Sequence, residues 1–110
     1  TQPAFRLFGV RLTKEVLVGG NFEWSASLLS ARDQRLRIAL RVYFLKANGS
    51  YTAKVFSVKK TELKAGQTLQ LRKQVSFEPI TTRALHLGVH HVELLVNCVA
   101  RGKRSFVLTQ

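Results

Sequence analysis

Methionine, cysteine and acidic residues are scarce or absent in this sequence, and each scarcity limits what the chain can be. Methionine is missing even at position 1, and the opening Thr1-Gln2-Pro3-Ala4 resembles a linker. We therefore expect a fragment of a longer chain. Cys98 is the only cysteine, so no disulfide can form within the domain, which suits a reducing compartment such as the cytoplasm. No apolar run approaches the roughly 18 residues of a transmembrane helix, and we expect no membrane association.

The shortage of acidic residues makes the chain strongly basic. Six Asp and Glu stand against 18 Lys and Arg, which gives a net charge of +12. A surface of this charge attracts polyanions such as DNA, RNA, acidic lipid or an acidic protein. The alternative is a charge excess that serves solubility and has no specific partner.

The length and the hydrophobic pattern predict the fold. The chain has 110 residues, of which 45% are hydrophobic, so we expect one domain over 1–110 with a packed core. Apolar residues recur at every second position, as they do in strands with one buried face. The clearest runs are Phe22–Leu28, Leu36–Phe44, Leu69–Leu71 and Val92–Val96. The pattern predicts an all-β fold, an immunoglobulin-like antiparallel β-sandwich of about seven strands.

Individual residues refine this expectation. Trp24 falls on an inward-facing position and is expected in the core. Val55, Phe56 and Val58 follow a turn and are flanked by lysines, which is typical of a strand near a sheet edge. Asn48-Gly49 is the strongest hairpin signal, and it predicts a type I′ turn. Asn97 is expected to begin the last hairpin.

We do not expect the three histidines to form a catalytic or metal site. His90 and His91 are adjacent, so on a strand they point to opposite faces, and His86 is expected on a loop. No cluster of carboxylates or cysteines supplies the remaining ligands that zinc requires. Cys98 lies at the far end of the strand from His90, without a base beside it. We therefore predict no catalytic residue, no metal and no cofactor.

The basic residues suggest a surface for phosphates. Arg35, Arg37 and Arg41 share the outward face of one predicted strand, and lysines crowd the next segment. Such cations either form a solvated face or contact phosphates, in which case binding is salt-dependent. Tyr43 and Tyr51 lie among them and could stack on bases.

An ordered series of short motifs carries a family resemblance. The motifs are Lys46-Ala47-Asn48-Gly49, Lys54-Val55-Phe56, Ile80-Thr81-Thr82-Arg83, Gly88 with His90, Val92-Glu93-Leu94 and Val96-Asn97. The series resembles the C-terminal immunoglobulin-like domain of bacterial DNA alkylation repair proteins. These alkylpurine DNA glycosylases combine a HEAT-like repeat domain with a small β-sandwich. The resemblance covers Val42 to Asn97 best.

The resemblance implies a role in DNA repair. In that family the helical domain carries the catalytic acid, and the sandwich helps to hold double-stranded DNA. By resemblance, this chain is a non-catalytic DNA-binding accessory domain whose parent chain carries a HEAT-like repeat domain. Arg83, His90, Lys46 and Lys54 are its expected DNA contacts or their supports. Two arginines of the family's pattern are replaced, by Val89 and His91.

A second function stays open beside this one. The sandwich could be an interaction module that docks on another domain or on an acidic protein partner. The motif residues would then serve only the fold, because immunoglobulin-like sandwiches host many functions.

Overall fold

The chain forms two packed β-sheets in a computed structural model that describes residues 3–78 and 85–110. Eight strands and no helix occur within those residues. The strands are β1 (Phe5–Leu12), β2 (Glu15–Leu17), β3 (Asn21–Ser30), β4 (Gln34–Leu45), β5 (Tyr51–Leu63), β6 (Thr68–Ser76), β7 (Gly88–Val96) and β8 (Val99–Thr109). The predicted all-β, immunoglobulin-like class is therefore confirmed.

The strands divide unequally between a smaller and a larger sheet. The smaller sheet has the order β1-β3-β6, and the larger sheet has the order β2-β8-β7-β4-β5. Every pair is antiparallel except β2 with β8, which is parallel. The expected number of about seven becomes eight because the first segment crosses between the sheets. Its amide at Thr13 still bonds Glu23 in the smaller sheet, whereas the carbonyl of Lys14 already bonds Val107 in the larger sheet.

The core lies between the inner faces of the two sheets. It is built from the alternate apolar residues that the sequence pattern selects, because each strand turns every second side chain inward. Trp24 is 3% exposed, which confirms its predicted place. Phe22, Phe77 and Phe106 are also fully buried, and the Phe22 and Phe106 rings stack with centroids 4.3 Å apart. As predicted, Val55–Val58 belong to an edge strand, because β5 ends the larger sheet.

The two hairpin turns of the larger sheet correct one prediction. In the β4–β5 turn only Gly49 has a positive φ, of 85°, so the turn is not type I′ as the Asn48-Gly49 pair predicts. Lys46 N–H donates to the Ser50 carbonyl and accepts at its own carbonyl from Gly49 N–H. This pattern is a three-residue loop with a bulged glycine. A type I′ turn occurs instead at Asn97 and Cys98, whose φ angles are 51° and 68°.

Candidate nucleic-acid interface

The four residues expected to contact DNA, or to support such contacts, fall in different environments. Arg83 lies outside the described residues. Lys46 directly follows β4, His90 is near the start of β7, and Lys54 lies on β5 opposite Val42. Lys46 and His90 share one end of the larger sheet, because the Leu45 amide beside Lys46 donates to His90 Nδ1 at 3.2 Å.

His90 is held by two hydrogen bonds that fix its tautomer. Its Nδ1 accepts from the Leu45 N–H, and its Nε2 lies 2.9 Å from the His86 carbonyl oxygen. An amide can only donate here and a carbonyl can only accept. His90 is therefore the neutral tautomer protonated at Nε2. It ties the end of β4 to the segment that precedes β7.

Packing completes the enclosure of His90. The ring is 0% exposed and stacks on Phe106 with centroids 5.6 Å apart, while the edges of Phe44 and Phe77 meet it at 6.2 and 5.8 Å. Burial lowers the pKa of His90 below its ordinary value of 6.5, because desolvation disfavours the charged ring. Of the two roles expected for His90, contact or support, the buried ring fits only support.

Gly88 places the start of β7 against β4. Its φ is 134°, and a Cβ built there would lie 2.9 Å from the Leu45 Cδ2 atom. A larger residue would have to displace the end of the Leu45 side chain, and it would also be strained in this backbone conformation. The glycine and the histidine of the motif thus perform one task, which is to seat β7 beside Leu45.

Lys46 and Lys54 are free to meet a ligand. Both side chains are exposed, and the ion pairs found among residues 3–78 and 85–110 leave both amines unpaired. Lys54 Nζ lies 5.4 Å from the centre of the Phe56 ring, a cation–π contact on an exposed strand. Lys54 opposes Val42, which lies four residues before Lys46 along the chain. The two lysines are therefore separated by about 13 Å along the strand direction.

Arg41 lies on the outward face of β4, as predicted, and is held there by neighbouring side chains. Its Nη1 atom lies 3.1 Å from Glu93 Oε1, and the Tyr43 hydroxyl donates to the same oxygen at 2.9 Å. Tyr43 and then Glu93 raise the pKa of the Arg41 guanidinium above its ordinary value. Lys103 Nζ covers the Tyr43 ring at 4.3 Å. Because only the register between β4 and β7 brings these residues together, the role of Glu93 as a counter-ion was not predictable from the sequence pattern.

The other predicted stacking residue has an exposed ring. Tyr51 remains open to solvent on the outer face of β5, and its hydroxyl donates to the Val89 carbonyl at 2.9 Å. Its ring meets the edge of His91 at a centroid distance of 5.1 Å. Tyr51 and His91 therefore form an aromatic pair on the outer face of the larger sheet, opposite the face that buries His90.

The β4–β5 hairpin concentrates the positive charge. It carries seven of the 18 Lys and Arg residues and a single acid, Glu62. That acid is paired with Arg35 at 2.8 Å, which leaves most of the hairpin's cations without a counter-ion. The seven cations are Arg35, Arg37, Arg41, Lys46, Lys54, Lys59 and Lys60.

Residues 3–78 and 85–110 contain neither a cluster of metal ligands nor a membrane-spanning helix. No group of three His, Cys, Asp or Glu side chains in these ranges could hold a metal ion. The same part of the chain contains no helix long and apolar enough to cross a membrane.

The chain matches one protein family over nearly its whole length. The family described as the C-terminal Ig-like domain of the uncharacterised protein YhaZ matches residues 9–110. YhaZ of Bacillus subtilis is 32% identical over 93 residues, which cover 84% of this chain and 26% of that protein. The chain thus spans about a quarter of this relative's length.

Solved structures show the same architecture in enzymes of two kinds. The alkylpurine DNA glycosylase AlkC of Pseudomonas fluorescens, bound to DNA with an abasic-site analogue, matches with a TM-score of 0.92 and 27% identity. The match covers 98% of this chain and 31% of AlkC. A β-glucosidase of Listeria innocua matches 98% of this chain and 16% of its own length at a TM-score of 0.78, but at 14% identity it shows the fold alone. Since the family pattern spans residues 9–110, this chain belongs to the family of YhaZ C-terminal Ig-like domains.

Proposed function

We propose that this chain is an accessory DNA-binding domain of a protein of the alkylpurine DNA glycosylase type. The observation that carries the proposal is the uncompensated charge of the β4–β5 hairpin, whose tip and edge present Lys46 and Lys54. The likeness to AlkC, a structure that contains DNA, supports the same function. The domain, over 1–110, contributes no catalytic residue, and the repair chemistry belongs to the rest of the parent chain.

Arg83 is proposed to meet a phosphate, and His90 to support the larger sheet from within. The parent chain is proposed to carry a HEAT-like repeat domain and to act on DNA in the cytoplasm. A lone exposed cysteine supports that compartment, because disulfide-free domains suit reducing conditions.

The test is a titration of labelled duplex DNA with this domain over a series of salt concentrations. Each lost phosphate contact lowers the slope of log K against log salt by about one. We expect Lys46→Ala with Lys54→Ala to lower the slope by about two, and Arg83→Ala by about one. The matched control is Lys46→Arg with Lys54→Arg, which keeps both charges and should keep the slope.

Two results would contradict the proposal. The first is an absence of binding by the unaltered domain even at low salt. The second is an equal slope for the alanine and arginine variants, which would show that these lysines do not face the phosphates.

A second function is favoured by a separate observation on the larger sheet. Val89 and Val107 are cross-strand partners on its outer face and are 44% and 38% exposed, and Leu17 on neighbouring β2 is 57% exposed. Exposed apolar patches of this kind mark protein contacts. The domain would then dock on another domain or on an acidic partner. Loss of docking in Val89→Ser with Val107→Ser, with DNA binding unchanged, would separate this role from the first.

A further inference from the structure

Two positive charges face each other near the base of the β4–β5 hairpin. Arg37 on β4 and Lys60 on β5 are direct cross-strand partners, and both side chains are exposed. Among the described residues neither forms an ion pair within 4.0 Å. The next outward-facing pair, Arg35 with Glu62, is compensated at 2.8 Å. Like charges placed directly opposite one another destabilise a sheet, so stability does not explain the pair.

Protection of the sheet edge explains the lysine of this pair but not the arginine. Lysines on an edge strand discourage pairing with other chains, which accounts for Lys54, Lys59 and Lys60 on β5. Arg37 lies on β4, an interior strand between β7 and β5. Edge protection therefore does not account for the positive charge of Arg37.

The pair borders an open depression on the surface of the larger sheet. Asn97 fixes the β4 backbone beneath it, since its Oδ1 atom accepts from Arg37 N–H at 2.8 Å and its Nδ2 donates to the Arg35 carbonyl at 3.3 Å. The volume is about 340 Å³, whereas one water occupies about 30 Å³. The depression is lined by Arg35, Leu36, Arg37, Lys60, Asn97 and Cys98.

We propose that Arg37 and Lys60 bind a second backbone phosphate of duplex DNA, at the opposite end of the hairpin from Lys46. Nine residues separate Arg37 from Lys46, which amounts to about 30 Å along a strand. One turn of B-DNA is about 34–36 Å long. A duplex that lies along the β5 edge therefore meets both ends of the hairpin about one turn apart. This inference rests on the proposed DNA binding and adds to it the orientation and the length of the site.

The first test uses two duplexes and a matched pair of variants. A duplex of about 20 base pairs spans the hairpin from Arg37 to Lys46, whereas one of about 6 base pairs, about 20 Å long, is too short to contact both of these residues at once. We expect Arg37→Ala with Lys60→Ala to lower the salt slope by about two on the long duplex and by less than one on the short one. Arg6→Ala with Arg11→Ala removes the same charge from exposed positions of β1 and should leave both slopes unchanged.

Cys98 supplies an independent readout. It is exposed, lines the same depression and is the only cysteine of the chain. We expect saturating long duplex to cover the depression and to slow the alkylation of Cys98 by iodoacetamide at least about five-fold, which corresponds to about 1 kcal/mol. The protection should be lost in the Arg37→Ala and Lys60→Ala variant.

The outcomes separate this inference from the proposed function. If the unaltered domain does not bind either duplex, the proposed function fails and this inference fails with it. If it binds with full slope while the Arg37 and Lys60 variant keeps that slope, or while Cys98 reacts at its free rate, only the second contact is overturned.

Discussion

The second strands of the two hairpins in the larger sheet, β5 and β8, differ in how much of the core they supply. The second strand of the β7–β8 hairpin buries Phe106 and Leu108, and its partner strand holds His90 in the core. The second strand of the β4–β5 hairpin lies at the sheet edge, where Leu63 is its only fully buried residue. β8 therefore contributes to the core, whereas β5 mainly exposes charge to solvent, and the core residues of the β4–β5 hairpin lie on β4. The comparison indicates that stability and binding can be changed separately.

Truncating one aromatic residue in each hairpin is expected to give the largest contrast. Phe106→Ala removes a buried ring that contacts Phe22, Phe77 and His90, and should reduce the free energy of unfolding by about 3–5 kcal/mol. Phe56→Ala removes a half-buried ring on β5 and should cost about 1 kcal/mol. Urea denaturation of both variants measures the difference. Equal losses would show that β5 and β8 contribute alike to the core.

The adjacent histidines of β7 give the next contrast, through pH. His90 is buried with a lowered pKa, chiefly by desolvation. Above about pH 6.5 the ring is neutral in both the folded and the unfolded chain. As the pH falls, the unfolded chain takes up the proton first, so stability is lost between about 6.5 and the lower folded pKa. A pH series of urea midpoints from about 7 to about 5 avoids most carboxylate titration.

Variants assign this pH dependence to one ring. The stability of His90→Leu should no longer change with pH within this window. The variant should also be less stable at every pH, because the Leu45 amide and the His86 carbonyl lose their hydrogen-bond partner. His91→Gln is the matched control, because its side chain points to the outer face beside Tyr51. A pH dependence that survives in His90→Leu and vanishes in His91→Gln would reverse the assignment.

Hydrophobic alternation made the core of this fold predictable. Leu36–Phe44 and Val92–Val96 are strands with the expected inner faces, and the split of His90 from His91 follows from the same period of two. The partners across strands were not predictable. Arg41 and Glu93 are 52 positions apart in sequence and become partners only through the β4–β7 register. The candidate site was therefore predicted as a set of residue types, whereas its pairing of charges was not.

The turns show the same limit on a smaller scale. Asn48-Gly49 has the favoured residues for a type I′ turn, but the bulged loop that forms needs positive φ only at Gly49. Asn97-Cys98 lacks the favoured glycine and still adopts the type I′ geometry. Asn97 is also committed to β4 by two side-chain hydrogen bonds. Register imposed by β7 and β8 thus outweighs the local preference of Cys98.

Substitutions at Gly49 and Cys98 in these turns should have the smallest effects on stability, and the two effects should be of opposite sign. Gly49→Ala places a Cβ in open space but at a φ of 85°, so backbone strain alone should cost about 1 kcal/mol. Cys98→Gly relieves the same strain at a φ of 68°, and the extra entropy of glycine in the unfolded chain offsets part of the gain. We expect a net stabilisation of about 0.5 kcal/mol for Cys98→Gly, measured as a rise in the urea midpoint with an unchanged m-value. Cys98→Ser, which keeps a side chain at this φ, is the control and should not be stabilised. If Cys98→Gly lowers the midpoint, the Cys98 side chain contributes to the turn, and the strain of the β7–β8 turn is smaller than its backbone angles imply.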